Sequence, residues 1–283
     1  MIKKLLKLRS GGAIVTFSMV ILGLFIILAI AGPLLTVKDP NAQDLMNRLK
    51  PPFWLQGSVH GHALGTDDLG RDILSRLIAG ARVSIMVGVL AACLSGVLGT
   101  VIGLLSGFYK AIDQIMMRLA DIQLAFPTIL LALAIVAVLG GGMDNLVFVL
   151  GVTGWVSYAR VVRSQVLSIR GSDFVVAAQT IGASDLRVLY RHILPNVYAP
   201  VITIGAFQIA SAIIAESSLS FLGLGVPIDI PSWGNMLSGG QLYMTSAWWI
   251  SVLPGLCILL VVLSINIIGD ALRDYLDPKS RLG

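Results

Sequence analysis

Few side chains in this sequence stand at spacings that could carry covalent or metal chemistry. His60 and His62 lie close together, but without cysteine or carboxylate partners at ligand spacing they make a poor metal set, and no metal site is assigned. Cys93 and Cys257 sit in apolar runs with neither metal nor disulfide spacing, and read as small core residues. Gly140-Gly141-Gly142 is followed by no Lys-Ser/Thr, so it forms a turn rather than a phosphate loop. An intramembrane enzyme would need a nucleophile–base pair or metal ligands at membrane depth. The sequence has no HExxH, no paired carboxylates in its apolar runs and no histidine in any of them. Asp121, Gln208 and Glu216 are the polar residues closest to those runs, with Arg118 placed to pair with Asp121 at i,i+3. Two acids near the ends of spans are too few for an ion-coupled secondary transporter, which favours buried ionisable groups and inverted repeats.

The remaining polar patterns are structural. In GTDDLGRDILSRLIAGARVS, Thr66 can cap a helix, and Asp67 and Asp68 suit its positive end. Asp67 with Arg71 and Asp72 with Arg76 stand at i,i+4, while Leu69, Ile73, Leu74 and Leu77 form an apolar face. The pattern predicts an amphipathic helix on the membrane surface. Ser172 to Pro195 (SDFVVAAQTIGASDLRVLYRHILP) predicts two short helices hinged at Gly182. Ser172 or Asp173 caps the first, which carries Phe174, Ala177, Ala178 and Ile181 on one face; Gly182 suits a left-handed C′ position. Ser184 can cap the second, with Leu186, Leu189, Tyr190 and Ile193 aligned, and Pro195 is expected to end it.

These elements need a membrane around them. The chain is 56% hydrophobic and only 12% charged, about half the charge of a soluble domain. Apolar runs near 20 residues long predict helices rather than a barrel. The expected order is a cytoplasmic start (1–12), span 1 (13–36), an extracytoplasmic segment (37–82), a core of five more spans (83–270) and a cytoplasmic tail (271–283). Span 2 carries a stripe of small residues that includes Gly96, Gly99, Gly103 and Gly107, a packing seam against an unspecified helix. Span 3 runs from about Arg118 through Pro127 to Leu139, span 4 over Asn145–Val162, span 5 from Asn196 to Ser218, and span 6 ends near Ile268 after the interface pair Trp248 and Trp249. Of the 20 Lys and Arg, about 14 fall on segments placed inside, which predicts six spans with both termini inside. The same bias accounts for the net charge of +5 without nucleic acid.

Three regions of the chain resemble bacterial ABC-importer permeases. The cytoplasmic loop of that family reads Glu-Ala-Ala, three residues, Gly, nine residues, Ile-x-Leu-Pro. Ala177, Ala178, Gly182, Leu194 and Pro195 match it, while Val176 replaces the Glu and His192 the Ile. Thr66, Asp67, Asp68, Gly70, Arg71 and Asp72, and later Ser232, Trp233, Gly234 and Asn235, resemble phrases of the oligopeptide, dipeptide and nickel branch. The resemblance implies an all-α type I importer permease of the C type in the inner membrane, passing di- or oligopeptides, or alternatively nickel, metal chelates or another small solute. It implies a B-type permease partner, two ABC ATPase subunits and an external solute-binding protein. It makes 163–195 the coupling loop, with Asp173, Val176, Ala177, Ala178 and Gly182 at the ATPase contact. This chain has no Walker A motif, so ATP and Mg belong to the partner ATPases and no cofactor is expected here.

Overall fold

The computed structural model describes residues 12–35 and 38–276. The basic start and the tail past residue 276 lie outside the described residues. The elements are helical: α1 (Gly12–Leu35), α2 (Ile73–Phe108), α3 (Lys110–Leu124), α4 (Thr128–Leu139), α5 (Met143–Ile169), α6 (Asp173–Thr180), α7 (Asp185–Val188), α8 (Leu194–Phe221), α9 (Trp233–Gly240) and α10 (Trp249–Leu276). Among the described residues, five helical stretches are long and apolar enough to cross a membrane, and six if the bent pair α3–α4 is one span. Spans 4, 5 and 6 extend past their expected ends, because charged and polar residues continue the same helices.

Three expectations are corrected. The surface helix starting at Thr66 is not a separate element. α2 starts at Ile73 and runs for 36 residues, capped by Asp72, whose Oδ2 accepts the Ser75 N–H at 2.8 Å. Residues 66–72 form a tight turn closed by a bridge between Thr66 and Asp72. Asp67 Oδ1 accepts the N–H groups of Leu69 at 3.0 Å and Arg71 at 2.9 Å, offering the backbone an alternative to helix. Gly70 completes the turn with φ +75°, and a Cβ there would collide with the Asp44 carbonyl.

Span 3 is not straight. α3 and α4 meet at 92°. Pro127 disfavours helix at Phe126, so the chain breaks and α4 restarts with the Pro127 carbonyl accepting from Leu130 and Leu131.

Pro195 does not end the second elbow helix. The path from α7 into α8 is continuous, through a π turn at Leu189–Ile193, and Pro195 occupies the first turn of α8. A proline lacks an N–H and crowds the preceding turn; a π turn in which Leu194 N–H reaches back to the Leu189 carbonyl accommodates it.

The small-residue stripe faces this chain's own α5. A Cβ on Gly103 would stand 2.7 Å from both the Ala159 carbonyl oxygen and Val162 Cβ, and one on Gly107 would stand 2.5 Å from Val166 Cβ. Gly99 meets the Trp155 carbonyl in the same way, whereas Gly96 has ordinary contact with the Tyr158 ring. From the other side, Gly151 receives Leu94, and Gly154 receives Ser95 and Gln208. Ser95 Oγ donates to the Gly151 carbonyl at 2.8 Å. α8 packs on this pair, with Ile213 over Gly88. α10, α1 and the start of α2 enclose a second apolar region around Phe25, Ile73, Trp233 and Ile250.

The bundle has two distinct ends. Residues 38–72, the Gly140–Gly142 turn and residues 222–248 gather at one, where Asn41 Nδ2 donates to the Asp229 carbonyl at 2.9 Å and Gly142 N–H to the Gly225 carbonyl at 3.1 Å. The Ser172–Pro195 elbow lies at the other, with Tyr109 Oη 3.2 Å from Asp185 Oδ2. Replacing Gly by Ala in a helix interior is worth about 1 kcal/mol of propensity, while overpacking costs about 1–3 kcal/mol. Gly103→Ala is therefore expected to lower the thermal midpoint of the detergent-solubilised protein, and Gly103→Leu to lower it further. Gly23→Ala, where nothing lies within 4 Å, is expected to leave it unchanged or raise it.

Candidate functional site

The elbow is built from two faces. Val175, Ala178, Val188, Leu189 and Ile193 are buried against Val162 and Val166 of α5 and Val197 of α8. The outward face is also apolar: Phe174 and Val176 are each 48% exposed, and Ile181, Leu186 and Tyr190 are 87%, 77% and 73% exposed. The apolar face expected for the first helix is thereby divided, with Ala178 inside and Phe174, Ala177 and Ile181 outside. In the second helix Leu189 and Ile193 are inside, and Leu186 and Tyr190 outside. The buried side of α6 is the line Val175–Ala178, rotated from the expected face, and that of the second helix is Val188, Leu189 and Ile193. Ala183 N–H donates to the Ala178 carbonyl and Gly182 N–H to the Gln179 carbonyl, a Schellman closure with Gly182 at φ +85°. Ser172 does not cap with its side chain: its hydroxyl donates to the Ile169 carbonyl at 2.6 Å. Asp173 is exposed in the first turn of α6. Leu194 is half-buried and Pro195 exposed where the elbow enters α8.

At the opposite end the two remaining motifs meet. Asp67 is 3% exposed and holds Arg71 Nε at 2.6 Å from its Oδ2, with Arg76 Nε at 3.7 Å from the same oxygen. Asp68 lies 3.9 Å from Arg71 Nη2. Arg76, itself 3% exposed, also donates to the Pro40 carbonyl at 3.2 Å. The expected Asp72–Arg76 pair is absent. Asp72 instead accepts from His62 Nδ1 at 3.0 Å while capping α2. Lys38 Nζ stands 3.1 Å from His62 Nε2. A carboxylate cannot donate and an ammonium cannot accept, so His62 carries its proton on Nδ1 and links the two charges. No group of three or more potential metal ligands occurs among the described residues. Thr66 Oγ1 donates to the Asn47 carbonyl at 2.5 Å, and the Thr66 carbonyl accepts from Trp249 Nε1 at 3.2 Å.

The second motif locks onto α2 and α8. Ser232 caps α9 by accepting the Asn235 N–H at 3.2 Å. Trp233 is fully buried; its Nε1 donates to the Leu77 carbonyl at 3.1 Å, and its ring meets Phe25 edge-on at 5.6 Å. Gly234 lies where a Cβ would stand 2.7 Å from the Ser217 carbonyl. Asn235 Nδ2 gathers the carbonyls of Val226, Pro227 and Ile230 at 3.0–3.1 Å, which folds the 226–230 loop onto α9.

Sequence reasoning missed three features here. Trp249 is buried and bonded to the first motif instead of marking an interface. Glu216 is fully buried, with Ser220 Oγ at 2.9 Å and Ser217 Oγ at 3.3 Å, and with Ser84 and Ser232 also bonded to it. Asp121 pairs with Arg160 at 2.5 Å, not with Arg118. The serine spacing around Glu216, at i+1 and i+4, was the available signal for the second. Removing one partner of a buried ion pair costs about 3–5 kcal/mol. Asp67→Ala strands Arg76 and is expected to abolish stable expression. Arg71→Lys, at a half-buried position, is expected to lower the thermal midpoint by only a few degrees.

Comparison with known proteins places this architecture. Residues 99–282 match the family model described as binding-protein-dependent transport system inner membrane component. Residues 14–52 match the N-terminal TM domain of oligopeptide transport permease C. The di/tripeptide transport system permease protein DppC of Pseudomonas aeruginosa (strain UCBPP-PA14) is 44% identical over 257 residues, covering 90% of this chain and 85% of that protein. The oligopeptide transport system permease protein OppC of Bacillus subtilis (strain 168) is 39% identical over 278 residues, 98% of this chain and 89% of its own length. The probable D,D-dipeptide transport system permease protein DdpC of Escherichia coli (strain K12) is 37% identical over 278 residues, 98% of this chain and 91% of that one. The names of these relatives speak of peptides and give the nickel alternative no support. The chain belongs to the binding-protein-dependent transport system inner membrane components, as a multi-pass ABC permease of the branch that holds the dipeptide and oligopeptide permeases.

Proposed function

We propose that this chain is one of two permease subunits of an ATP-driven importer for di- or oligopeptides, coupled through its elbow to separate ATPase subunits. The observation that carries the coupling role is the two-faced elbow. Its inner apolar face is satisfied by α5 and α8, while Phe174, Val176, Ile181, Leu186 and Tyr190 present a second apolar face that is largely exposed among the described residues. That ridge fits a groove on an ATPase. Val176 cannot form the ion pair that the family's Glu makes, and apolar contact takes its place. A B-type permease, two ATPases carrying ATP and Mg, and an external binding protein complete the assembly.

Alternating access follows from the connection of the elbow to the spans. α7, the π turn and α8 form one continuous helical path of 37 residues, Asp185–Phe221. A displacement of the elbow by closure of the ATPases is therefore passed directly to α8 and, through the glycine seam, to α5 and α2. The elbow end faces the cytoplasm and the motif end faces the binding protein.

Two measurements check this reading. Ile181→Asp and Leu186→Asp are expected to lower solute-stimulated ATP hydrolysis at least tenfold while the permease pair still inserts and co-purifies. Asp173→Asn is expected to change it less than twofold. Full stimulation in both apolar variants would remove the elbow from the coupling path. Ala178 is unsuited to this test, since it is 7% exposed and a large residue there would unseat the elbow from α5. Cysteines at Lys50 and Asp229 should react with an impermeant thiol reagent added outside sealed cells, and cysteines at Lys110 and Asp185 only after the membrane is opened. The reverse pattern would invert the topology.

A further inference from the structure

α3 and α5 are joined by long side chains more than by close backbones. Arg163 pairs with Asp113. Arg160 Nη2 lies 2.5 Å from Asp121 Oδ1. Gln123 donates to the Thr153 carbonyl at 2.6 Å and accepts from Trp155 Nε1 at 2.9 Å. These ties descend α5 from near its middle towards the elbow. Arg160 stands roughly 25 Å from the Met143 end of α5 and roughly 14 Å short of its elbow end, at the helical rise per residue. The side chains of Arg160 and Asp121 are nevertheless 48% and 67% exposed.

The pair is not isolated on that surface. Ser157, Ser164 and Ser168 are exposed on α5 at three or four residues' spacing, in one stripe with Arg160. Beside the stripe lies a groove of about 600 Å³ between α5, α8 and α10, with Gln165, Asn196, Thr203 and Arg273 among its lining residues. Other exposed faces are largely apolar, as on α10 at Val252, Leu256, Leu259 and Leu263. A charged pair and a serine stripe are costly against lipid tails, and ionisable groups in spans face bundle interiors or water-filled cavities.

We propose that this polar face of α5, with Asp121 beside it, forms one wall of a water-filled solute path, in which Arg160 and Asp121 meet the carboxylate and ammonium ends of a peptide zwitterion. The inference rests on the importer reading above. With the path empty, the two charges neutralise each other. A peptide carries the same two charges at its ends, so each side chain can exchange its partner for one of them without leaving a charge unpaired.

The test uses the assembled transporter, with Cys93 and Cys257 replaced by alanine and single cysteines introduced as Ser157→Cys and Ser164→Cys. These small substitutions leave the ion pair intact. A small cationic methanethiosulfonate reagent is expected to modify both sites in the nucleotide-free or the ATP-trapped state, and the modification is expected to lower dialanine uptake at least fivefold. Leu259→Cys, on the exposed apolar face of α10, is the control and is expected to stay unmodified. Failure of both serine sites to react in either state would show that the partner permease seals this face, and would overturn the proposal, as would modification without loss of uptake. For the pair itself, Arg160→Gln and Asp121→Asn are each expected to slow dialanine uptake at least fivefold while the transporter still assembles and co-purifies with its partner subunits. Unchanged uptake in both would remove the charges from the path. Absence of ATP-driven peptide uptake by the unsubstituted transporter would instead reject the importer reading, and the labelling would still report whether the face is wet.

Discussion

The α2 and α5 backbones come within touching distance where Gly99, Gly103 and Gly107 meet Trp155, Ala159, Val162 and Val166, and the other packing follows from that approach. In lipid, apolar side chains gain little by leaving one apolar environment for another, so close van der Waals contact has to supply the attraction. Glycine makes that contact possible at a cost in helix propensity of about 1 kcal/mol per residue. Seating α5 this way puts Val162 and Val166 where the elbow needs a floor, and the same two residues join Val175, Val188 and Ile193 in one apolar cluster. The seam also decides which side of α5 remains free. Gly151, Gly154, Tyr158 and Ala159 are spent on α2, and Ser157, Arg160 and Ser164 are left facing outward.

The motif end adds polar fitting to the apolar cluster around Phe25, Ile73, Trp233 and Ile250. Asp67 with Arg71 and Arg76, and Asp72 with His62, place formal charges out of water. Such pairs are weak evidence for stability, since desolvation offsets much of the attraction. Their geometry is specific, however: Asp67 uses one oxygen for backbone N–H groups and the other for guanidinium, and Asn235 binds three carbonyls at once. The irregular segments at this end therefore have defined conformations despite having little regular structure.

Much of this was legible in the sequence. Composition and run length gave the helical membrane class, and the glycine spacing marked a seam. Its partner was unreadable, because a stripe of small residues does not name the helix that fills it. Gly182 was readable as a left-handed closure, since few residues suit that backbone. Local pattern misled at 66–72, where Asp67 and Asp68 resemble a helical first turn but the carboxylate folds the backbone into a turn first. It misled again at Pro195, because proline is compatible with a helix when a π turn precedes it. Tertiary pairs such as Asp121–Arg160 and His62–Asp72 join residues 39 and 10 positions apart, and nothing in the spacing of either pair announced them. The relatives add the family and the peptide vocabulary; they do not by themselves assign a role to any of these side chains.

The π turn between α7 and α8 also fixes an azimuth. A turn with i→i+5 closure carries more residues than an α turn over the same stretch, and each residue of an α-helix advances its side chains by about 100° around the axis. The direction in which Leu186 and Tyr190 point, relative to the membrane face of α8, is thus a matter of residue count at Leu189–Ile193. Taking out one residue there and letting the segment close as plain α-helix would leave the apolar ridge near its present direction, whereas taking one residue out of the adjoining α-helix would swing the ridge by about 100° around the helix axis. Chain length at this point acts as a phase setting between the two ends of one helix, and point substitution and deletion in it are different kinds of perturbation.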